Sequence, residues 1–224
     1  MLDSQRRRIL HQSPCAAAER RGRASPASHR MSGFPEARFL TSANRPGQFL
    51  ADDGAEVAFA GRSNAGKSSA INVIVNRRQL ARTSKAPGRT QLVNFFHLQP
   101  GQRLVDLPGY GYARVAPGTQ EHWRGLMESY FTGRHSLRGL FLAVDIRRSL
   151  GEADLQMLAW CRSLGVPVHV LLTKADKLNR SEKARALTAA TGKAGAAVTM
   201  QLFSAHDGEG IEAARAQLHD MLRA

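Results

Sequence analysis

The segment Gly61-Arg62-Ser63-Asn64-Ala65-Gly66-Lys67-Ser68 decides the fold of this chain. It fits the phosphate-binding pattern G-x-x-x-x-G-K-[ST] at every fixed position. The apolar run 56–60 before it predicts a buried strand, and the segment 69–76 after it predicts a helix with Ile71 and Ile74 on one face. A glycine loop between strand and helix turns backbone N–H groups toward an anion, and the helix N-terminus adds positive partial charge. The segment therefore predicts a site for nucleotide phosphates.

A second motif, Thr173-Lys174-Ala175-Asp176, follows the predicted strand 168–172. Ligands of open α/β sheets bind at the carboxyl ends of the strands, which places this motif near the phosphate loop. The Asp176 carboxylate can accept two hydrogen bonds from guanine, whereas adenine would leave it unpaired. Sites that depend on such pairing reject the wrong partner by about 10⁴ or more. The motif alone would also fit a solvated Lys-Asp turn, but its position downstream of a phosphate loop favours a guanine site.

Two segments between these motifs are candidates for sensing a third phosphate. The predicted strand 104–107 ends in D-x-x-G, in which Asp106 can hold a Mg²⁺-bound water and the Gly109 N–H can reach a γ-phosphate. The Pro-Gly loop 85–91 contains Thr90, whose hydroxyl has the placement expected of a group that closes on Mg²⁺. Single residues of these types are usually caps or turn formers, so it is their order along the chain that favours a nucleotide site.

The ordered motifs resemble those of one protein family. They are GRSNAGKS at 61–68, PGRTQ at 87–91, DLPGYG at 106–111, TKAD at 173–176 and FSA at 203–205. This set resembles the EngB (YihA/YsxC) family of bacterial translation-factor-related GTPases over about residues 34–224. The resemblance implies a Mg²⁺-dependent protein that binds GTP and GDP and hydrolyses GTP to GDP and phosphate. It further implies a role in assembly of the large ribosomal subunit and in normal cell division and septation.

The resemblance also implies roles for individual residues. Lys67 would neutralise the β- and γ-phosphate oxygens, and it would form the catalytic set together with Thr90 and Gly109. Ser68 and Thr90 would bind Mg²⁺ directly, with Asp106 behind them through a water molecule. The implied GTP-binding residues are Gly61, Arg62, Ser63, Asn64, Ala65, Gly66, Lys67, Ser68, Gly88, Arg89, Thr90, Gln91, Leu92, Asp106, Leu107, Pro108, Gly109, Thr173, Lys174, Ala175, Asp176, Phe203, Ser204 and Ala205.

Residue 110 lowers the expected rate of GTP hydrolysis. Many GTPases carry a glutamine directly after D-x-x-G that orients the attacking water, but this chain has Tyr110. Asn64 could compensate, because potassium-stimulated relatives use an asparagine at this loop position to hold K⁺ near the phosphates. The alternative is that Asn64 is simply a turn residue. Arg89 is either an internal arginine finger or, more in keeping with its surroundings, a backbone-positioning or RNA-facing residue.

Composition is consistent with these expectations. A chain of 224 residues, 42% hydrophobic, can bury one core, and it contains no apolar stretch long enough to span a membrane. Its two cysteines form no disulfide or metal framework, so we expect a cytoplasmic protein, and we expect a monomer. The net charge of +14 suits a polyanion. Together with the family resemblance, it makes the rRNA of the large ribosomal subunit, or of its precursor, the leading partner.

The chain divides into three expected parts. Residues 1–30 contain seven arginines and two acids and so carry +5 of the net charge of +14. They lack apolar periodicity and predict a disordered basic extension, with Met31 as a possible true start. Residues 31–52 are a lead-in, and residues 53–224 are the GTP-binding domain. Transit peptides share the composition of the first thirty residues.

The order of patterns predicts an α/β protein with the three-layer P-loop GTPase fold. Strands near 56–60, 92–98, 103–107, 139–145, 167–172 and 199–204 alternate with helices near 67–77, 120–133, 152–164, 181–191 and 209–222. We expect a six-stranded, mostly parallel sheet with helices on both faces. The short turn at Pro100-Gly101 predicts one antiparallel strand. Gly151, Gly165 and Gly192 are the expected helix boundaries.

Two classes of function remain open. In the first, the protein is a GTPase switch whose affinity for a ribosomal partner changes on hydrolysis. In the second, it is a nucleotide-gated rRNA-binding assembly factor in which hydrolysis is secondary. A P-loop kinase of small metabolites is disfavoured by the TKAD and DLPG motifs.

Overall fold

The computed structural model of the protein describes residues 33–81, 92–110 and 117–224. Within these ranges the chain forms strands and α-helices that alternate from β4 onward. The strands are β1 Arg38–Ala43, β2 Ala55–Gly61, β3 Val93–Gln99, β4 Gln102–Asp106, β5 Leu137–Asp145, β6 Val168–Thr173 and β7 Thr199–Leu202. The helices are α1 Lys67–Ile74, α2 Pro117–Gly133, α3 Glu152–Ser163, α4 Arg180–Ala194 and α5 Ile211–Arg223.

The strands form one mixed sheet in the order β1-β3-β4-β2-β5-β6-β7. β3 runs antiparallel to both of its neighbours, β1 and β4. The other adjacent pairs are parallel. The prediction of a mostly parallel sheet with a single antiparallel strand is therefore confirmed. The central strands β2, β5 and β6 are buried along most of their length, as expected of parallel strands that are covered on both faces.

The predicted count of six strands was wrong, because the described sheet has a seventh strand, β1. It lies in the segment assigned to a lead-in, and its residues Arg38, Phe39 and Leu40 are exposed. Only the last residue of β1, Ala43, is buried, so the strand leaves no apolar alternation in the sequence. Its position depends on pairing with β3, where Ser42 lies opposite Asn94 and donates a 2.6 Å hydrogen bond to the Asn94 side chain.

Helices cover both faces of the sheet and complete the three layers. On one face, α2, α3 and α4 bury Tyr130, Met157 and Ala190 against the strands. On the other face, α1 and α5 bury Ile71 and Leu218. No helix in the described ranges is long and apolar enough to cross a membrane.

Two of the three predicted helix boundaries are correct. Gly151 directly precedes α3, and Gly165 follows its last turn. The boundary at Gly192 was wrong, because α4 continues to Ala194 and ends at Gly195. Gly195 has a φ of 83°, a left-handed conformation that glycine adopts without steric cost, whereas Gly192 stays inside the last helical turns.

Candidate functional site

The phosphate loop connects β2 to α1 at the carboxyl edge of the sheet. Gly61 lies so close to β5 that a Cβ atom there would be 2.6 Å from the Ala143 carbonyl oxygen. Asn64 and Gly66 have φ angles of 62° and 90°, and α1 begins at the next residue, Lys67. These left-handed residues turn the chain sharply into the helix N-terminus, the geometry that binds phosphate.

Lys67 and Asp106 form an ion pair next to this loop. Asp106 ends β4 opposite Phe59 of β2, and the Lys67 and Asp106 side chains are 12% and 8% exposed. The backbone beyond Asp106 runs alongside the loop, since the Tyr110 N–H donates to the Gly61 carbonyl at 3.3 Å. The Ser63 N–H in turn donates to the Tyr110 carbonyl at 3.2 Å. The structure thus brings the segment 106–109 and the phosphate loop together, as predicted from the sequence.

Thr173 and Lys174 tie the TKAD motif to the same loop. The Thr173 hydroxyl donates to the carbonyl oxygens of Ala65, at 2.5 Å, and Val144, at 3.1 Å. Lys174 has a φ of 59°, and its ammonium group donates to the Asn64 carbonyl oxygen at 2.6 Å. A left-handed lysine costs about 1 kcal/mol or more, which this charge-assisted hydrogen bond helps to offset. The phosphate loop and the motif predicted to select the base therefore form one connected unit.

Asp176 is held in an ionised, acceptor-only state beside the FSA segment. The hydrogen bond from Lys177, followed by the one that the Ser204 hydroxyl donates at 2.9 Å, lowers the pKa of Asp176. The Phe203 backbone links the two segments, because its N–H donates to Leu172 at 2.9 Å and its carbonyl accepts from Ala175 at 3.1 Å. An ionised carboxylate with fixed orientation is the group that can accept both guanine donors.

The first predicted switch lies mostly outside the described residues. Gly88, Arg89, Thr90 and Gln91 are in that part of the chain, and the described Leu92 is half-buried directly before β3. The described residues contain no group of three or more histidine, cysteine or acidic side chains that could hold a metal ion. Mg²⁺ at a nucleotide is bound through one or two carboxylates and the phosphates rather than by an all-protein cage, and Asp106, paired with Lys67 next to the phosphate loop, is such a carboxylate.

Comparisons with known proteins agree with this geometry. Residues 56–174 match the family model described as 50S ribosome-binding GTPase. A probable GTP-binding protein EngB of Coxiella burnetii (strain RSA 331 / Henzerling II) is 47% identical over 193 residues, which cover 85% of this chain and 94% of the relative. The same-named protein of Nitrosococcus oceani is 51% identical over 192 residues, covering 84% and 96%. The chain belongs to the EngB family of GTP-binding proteins.

A solved structure supports the fold of this EngB chain. The crystal structure of a probable GTP-binding protein engB superposes with a TM-score of 0.62 at 22% identity, covering 75% of this chain and 99% of the other. The curated relatives and the family model make the chain a GTP-binding protein with a P-loop GTPase domain, and GTP hydrolysis is the activity of the family as a whole. The expected family and the three-layer fold are confirmed.

Tyr110 has a partner that the sequence did not reveal. Its hydroxyl donates to Asp154 of α3 at 2.7 Å, and the other Asp154 oxygen accepts from the Gly151 N–H at 2.9 Å. Burial, followed by the nearby Asp154 charge, raises the pKa of Tyr110, so the phenol stays protonated. The Tyr110 side chain is buried and its hydroxyl is already committed to α3. The hydroxyl that would have to orient a water in place of that glutamine is therefore engaged by Asp154.

Asp145 is a second site residue that the sequence reasoning missed. It ends β5 and accepts hydrogen bonds from Arg147 at 2.7 Å and from Lys174 at 2.9 Å. The hydrogen bond from Arg147 is the largest effect on its pKa, which is lowered despite partial burial. A signal existed, because Asp145 follows a buried strand in the same way as Asp106 follows β4. The Asp145–Lys174 pair fixes the lysine whose ammonium group contacts the phosphate loop.

Proposed function

We propose that the protein is a Mg²⁺-dependent GTP switch with slow intrinsic hydrolysis that acts in the cytoplasm in assembly of the large ribosomal subunit. Normal cell division and septation would depend on that role. The observation that carries the nucleotide part is the junction of Thr173 and Lys174 with the carbonyl groups of Ala65 and Asn64. The ribosomal part is supported by the family model's description and by the net charge of +14.

In the proposed site, Lys67 changes its partner when nucleotide binds. In the structure its ammonium group is paired with Asp106. The β- and γ-phosphate oxygens would take over the Lys67 charge, while backbone N–H groups of 61–68 surround the α- and β-phosphates. Asp106 would then be released to accept from a metal-bound water.

Three oxygen donors are proposed to hold Mg²⁺. The Ser68 hydroxyl at the start of α1 and the Thr90 hydroxyl would bind directly, and Asp106 would bind through water. When bound, the metal supplies positive charge to the β- and γ-phosphate oxygens during transfer. Gly109 lies beside Ser63, since a Cβ atom added at Gly109 would be 3.5 Å from the Ser63 nitrogen. Its N–H would donate to the γ-phosphate.

Slow hydrolysis is expected because the position directly after D-x-x-G, which carries the water-orienting glutamine in many GTPases, is Tyr110 in this chain. The Tyr110 hydroxyl is held by its hydrogen bond to Asp154 of α3. This observation also supports the second candidate function, a nucleotide-gated rRNA-binding assembly factor in which hydrolysis is secondary. The two functions differ in whether GDP and phosphate formation is needed for release from the ribosomal particle.

We also propose that K⁺ bound beside Asn64 assists turnover. The Asn64 side chain is exposed on the loop, but its left-handed φ of 62° would by itself favour asparagine at this turn. Single-turnover hydrolysis in K⁺ and Na⁺ buffers separates the two explanations. Faster turnover in K⁺ that is lost in Asn64→Gly supports the cation role, since glycine keeps the backbone conformation. Equal rates in the two buffers reject it.

The guanine assignment is tested by replacing the Asp176 carboxylate with an amide, which turns one hydrogen-bond acceptor into a donor. Asp176→Asn should weaken GTP binding by about 10³-fold or more and should create affinity for XTP. Xanthine carries a carbonyl oxygen where guanine has its amine, and an asparagine amide can donate to it. Titration calorimetry with GTP, GDP, ATP and XTP, with and without Mg²⁺, measures this change. The exposed Asp53→Asn is the matched control, and unchanged base preference in Asp176→Asn rejects the assignment.

The ribosomal role is tested by co-sedimentation with purified large subunits. Binding in GTP or a non-hydrolysable analogue, but not in GDP, supports the switch. If the protein stays bound after GTP has been hydrolysed, the gated-binding function is favoured. If no nucleotide state sediments with the subunits, the ribosomal proposal is wrong, although GTP binding is unaffected by that result.

A further inference from the structure

A basic groove lies at the β1 edge of the sheet, beyond the end of α1. It has a volume of about 560 Å³ and is lined by β1, β3 and the loop that follows α1. None of the residues assigned above to nucleotide binding lines it. The groove therefore needs an explanation of its own.

An exposed aromatic ring forms part of one wall. Phe39 is 53% exposed, and its ring meets that of Phe96 edge to face, with the ring centroids 5.8 Å apart and the planes at 70°. Such a contact fixes the ring without covering both of its faces. In the described part of the chain the exposed large apolar side chains are Phe39, Leu40 and Leu164, so two of the three are neighbours on β1.

Guanidinium groups supply the other feature of the groove. Arg38, Arg77 and Arg78 line it, are exposed, and form no ion pair with any acid in the described ranges. Other arginines are used inside the protein. Arg215, for example, donates to the Val73 and Ile74 carbonyl oxygens at 2.7 Å each. Three unpaired guanidinium groups around one groove, with no acidic residue in its lining, attract a polyanion.

The loop that carries two of these arginines is fixed rather than open. The Asn72 side chain accepts from the Ala81 N–H at 2.8 Å and donates to the Ala81 carbonyl at 2.9 Å. Asn76 and Gln79 have left-handed φ angles of 56° and 59°, and the arginines lie between them. Because the backbone of this loop is already ordered, binding through Arg77 and Arg78 loses less conformational entropy.

We propose that this groove binds single-stranded RNA, with one base stacked on Phe39 and backbone phosphates contacted by Arg38, Arg77 and Arg78. This inference rests on the rRNA partner proposed above and names its surface. A charged groove with an exposed aromatic ring is the arrangement that binds single strands, because every base has a stacking face and every nucleotide a phosphate. A peptide added to the edge of β1 would not require the arginines.

The test measures fluorescence anisotropy of a labelled oligouridylate of about ten nucleotides. Phe39→Ala should weaken binding about tenfold and leave the salt dependence unchanged, since it removes stacking alone. Phe39→Trp should bind as tightly as the wild type, whereas Phe39→Leu should not. The double variant Arg77→Ala/Arg78→Ala should make the negative slope of log K against log salt shallower by about 1.4, because each phosphate contact on a single strand contributes about −0.7.

Matched controls remove the same groups from another surface. Leu164→Ala removes an exposed apolar side chain at the end of α3, and Arg180→Ala/Arg185→Ala removes two exposed charges from α4. Both controls should keep wild-type affinity and salt slope. Equal losses in the two double-arginine variants would mean that net charge alone attracts RNA, and would overturn the groove assignment.

Co-sedimentation with large subunits separates failure of this inference from failure of the ribosomal proposal. If the wild type sediments but the oligouridylate does not bind, or binds equally to the Phe39 and arginine variants, the groove assignment is wrong and the ribosomal role stands. If the groove variants lose subunit binding and keep oligonucleotide binding, the occupant is a ribosomal protein and the RNA assignment is wrong. Loss of both interactions in the groove variants supports the inference.

Discussion

Buried ion pairs lie both at the amino edge of the sheet, where the parallel strands begin, and at the carboxyl edge, where they end, but they have different roles. At the amino edge, Glu56 at the start of β2 accepts hydrogen bonds from Arg103 at 2.9 Å, Tyr130 at 3.1 Å and Arg134. At the carboxyl edge, Asp106 pairs with Lys67, and Asp145 pairs with Arg147 and Lys174. Both edges therefore bury carboxylates against cations.

They differ in whether the cations can leave. Glu56 is fully buried and Arg134 is 4% exposed, so removal of either would strand a charge away from water. At the carboxyl edge, the Lys174 side chain is 32% exposed and that of Arg147 is 47% exposed. Lys67 is the first residue of helix α1. A closed network fixes the fold, whereas a cation at the phosphate loop, such as Lys67 at the start of α1, can exchange its partner for a phosphate. An ion pair by itself therefore does not indicate a binding site.

Glu56→Ala should have the largest effect on stability. It leaves Arg103 and Arg134 without their shared carboxylate and should lower the free energy of unfolding by about 3–5 kcal/mol. GTP affinity of the folded fraction should stay within about twofold, because the residue lies at the opposite edge from the phosphate loop. Urea unfolding measures the first quantity and calorimetry the second. The control Asp53→Ala removes an exposed partner of Arg103 and should cost about 1 kcal/mol or less. Equal costs for both variants would contradict the closed network.

Lys67→Ala should have a large effect on GTP affinity and a smaller effect on stability, which is the reverse of Glu56→Ala. GTP affinity in Mg²⁺ should fall by about 100-fold, since charge-assisted hydrogen bonds to the phosphates are lost, each contributing about 1.5–3 kcal/mol. The ligand-free protein should lose less stability than in Glu56→Ala. The exposed Lys193→Ala serves as the calorimetric control. A strongly destabilised variant with normal GTP affinity would show that the Lys67–Asp106 pair is structural.

Two tyrosines allow the edges to be compared by removal of one hydroxyl. Tyr110→Phe removes a hydrogen bond to Asp154, and Tyr130→Phe removes one to Glu56. Each should cost about 1–2 kcal/mol of stability, because a buried carboxylate loses a donor. Neither should change the rate of GTP hydrolysis. A drop in turnover confined to Tyr110→Phe would mean that the phenol takes part in hydrolysis, and the slow-turnover argument would then be wrong.

Lowering the pH should reduce the stability of the protein, because Asp52 at the amino edge becomes protonated. Burial acts to raise its pKa, but hydrogen bonds from Ser136 and from the His135 N–H, together with the Arg134 charge, outweigh burial and lower the pKa from 3.8 to about 2. Because the folded value lies below the unfolded one, the stabilisation is present above about pH 4 and is lost as the pH falls toward 2. It should amount to about 1 kcal/mol after solvent screening.

Urea unfolding at pH 5 and pH 3 checks this effect. Asp52→Asn should be less stable than the wild type at pH 5, and the difference should shrink at pH 3. A constant difference between the two proteins would assign the effect to lost hydrogen bonding alone rather than to the Asp52 charge.

The sequence by itself determined the parts of the protein whose signals are local. The phosphate loop, the buried strands β2, β5 and β6, the single antiparallel strand and the family follow from neighbouring residues. Asp106, which ends β4, and Asp176, which lies shortly after the end of β6, follow in the same way. Glycine positions, apolar runs and strand-end polar residues are constraints on a few consecutive residues, so they can be recognised before folding.

Only the tertiary structure decided which distant groups meet. Tyr110 and Asp154 are 44 residues apart, and the Thr173 hydroxyl reaches a carbonyl 108 residues away. β1 is exposed over its first half and is positioned by pairing with β3, and the basic groove is formed by residues of β1, β3 and the loop after α1, which are distant in the sequence. Such contacts depend on how layers pack across the sheet, and packing is a property of the whole chain rather than of any segment.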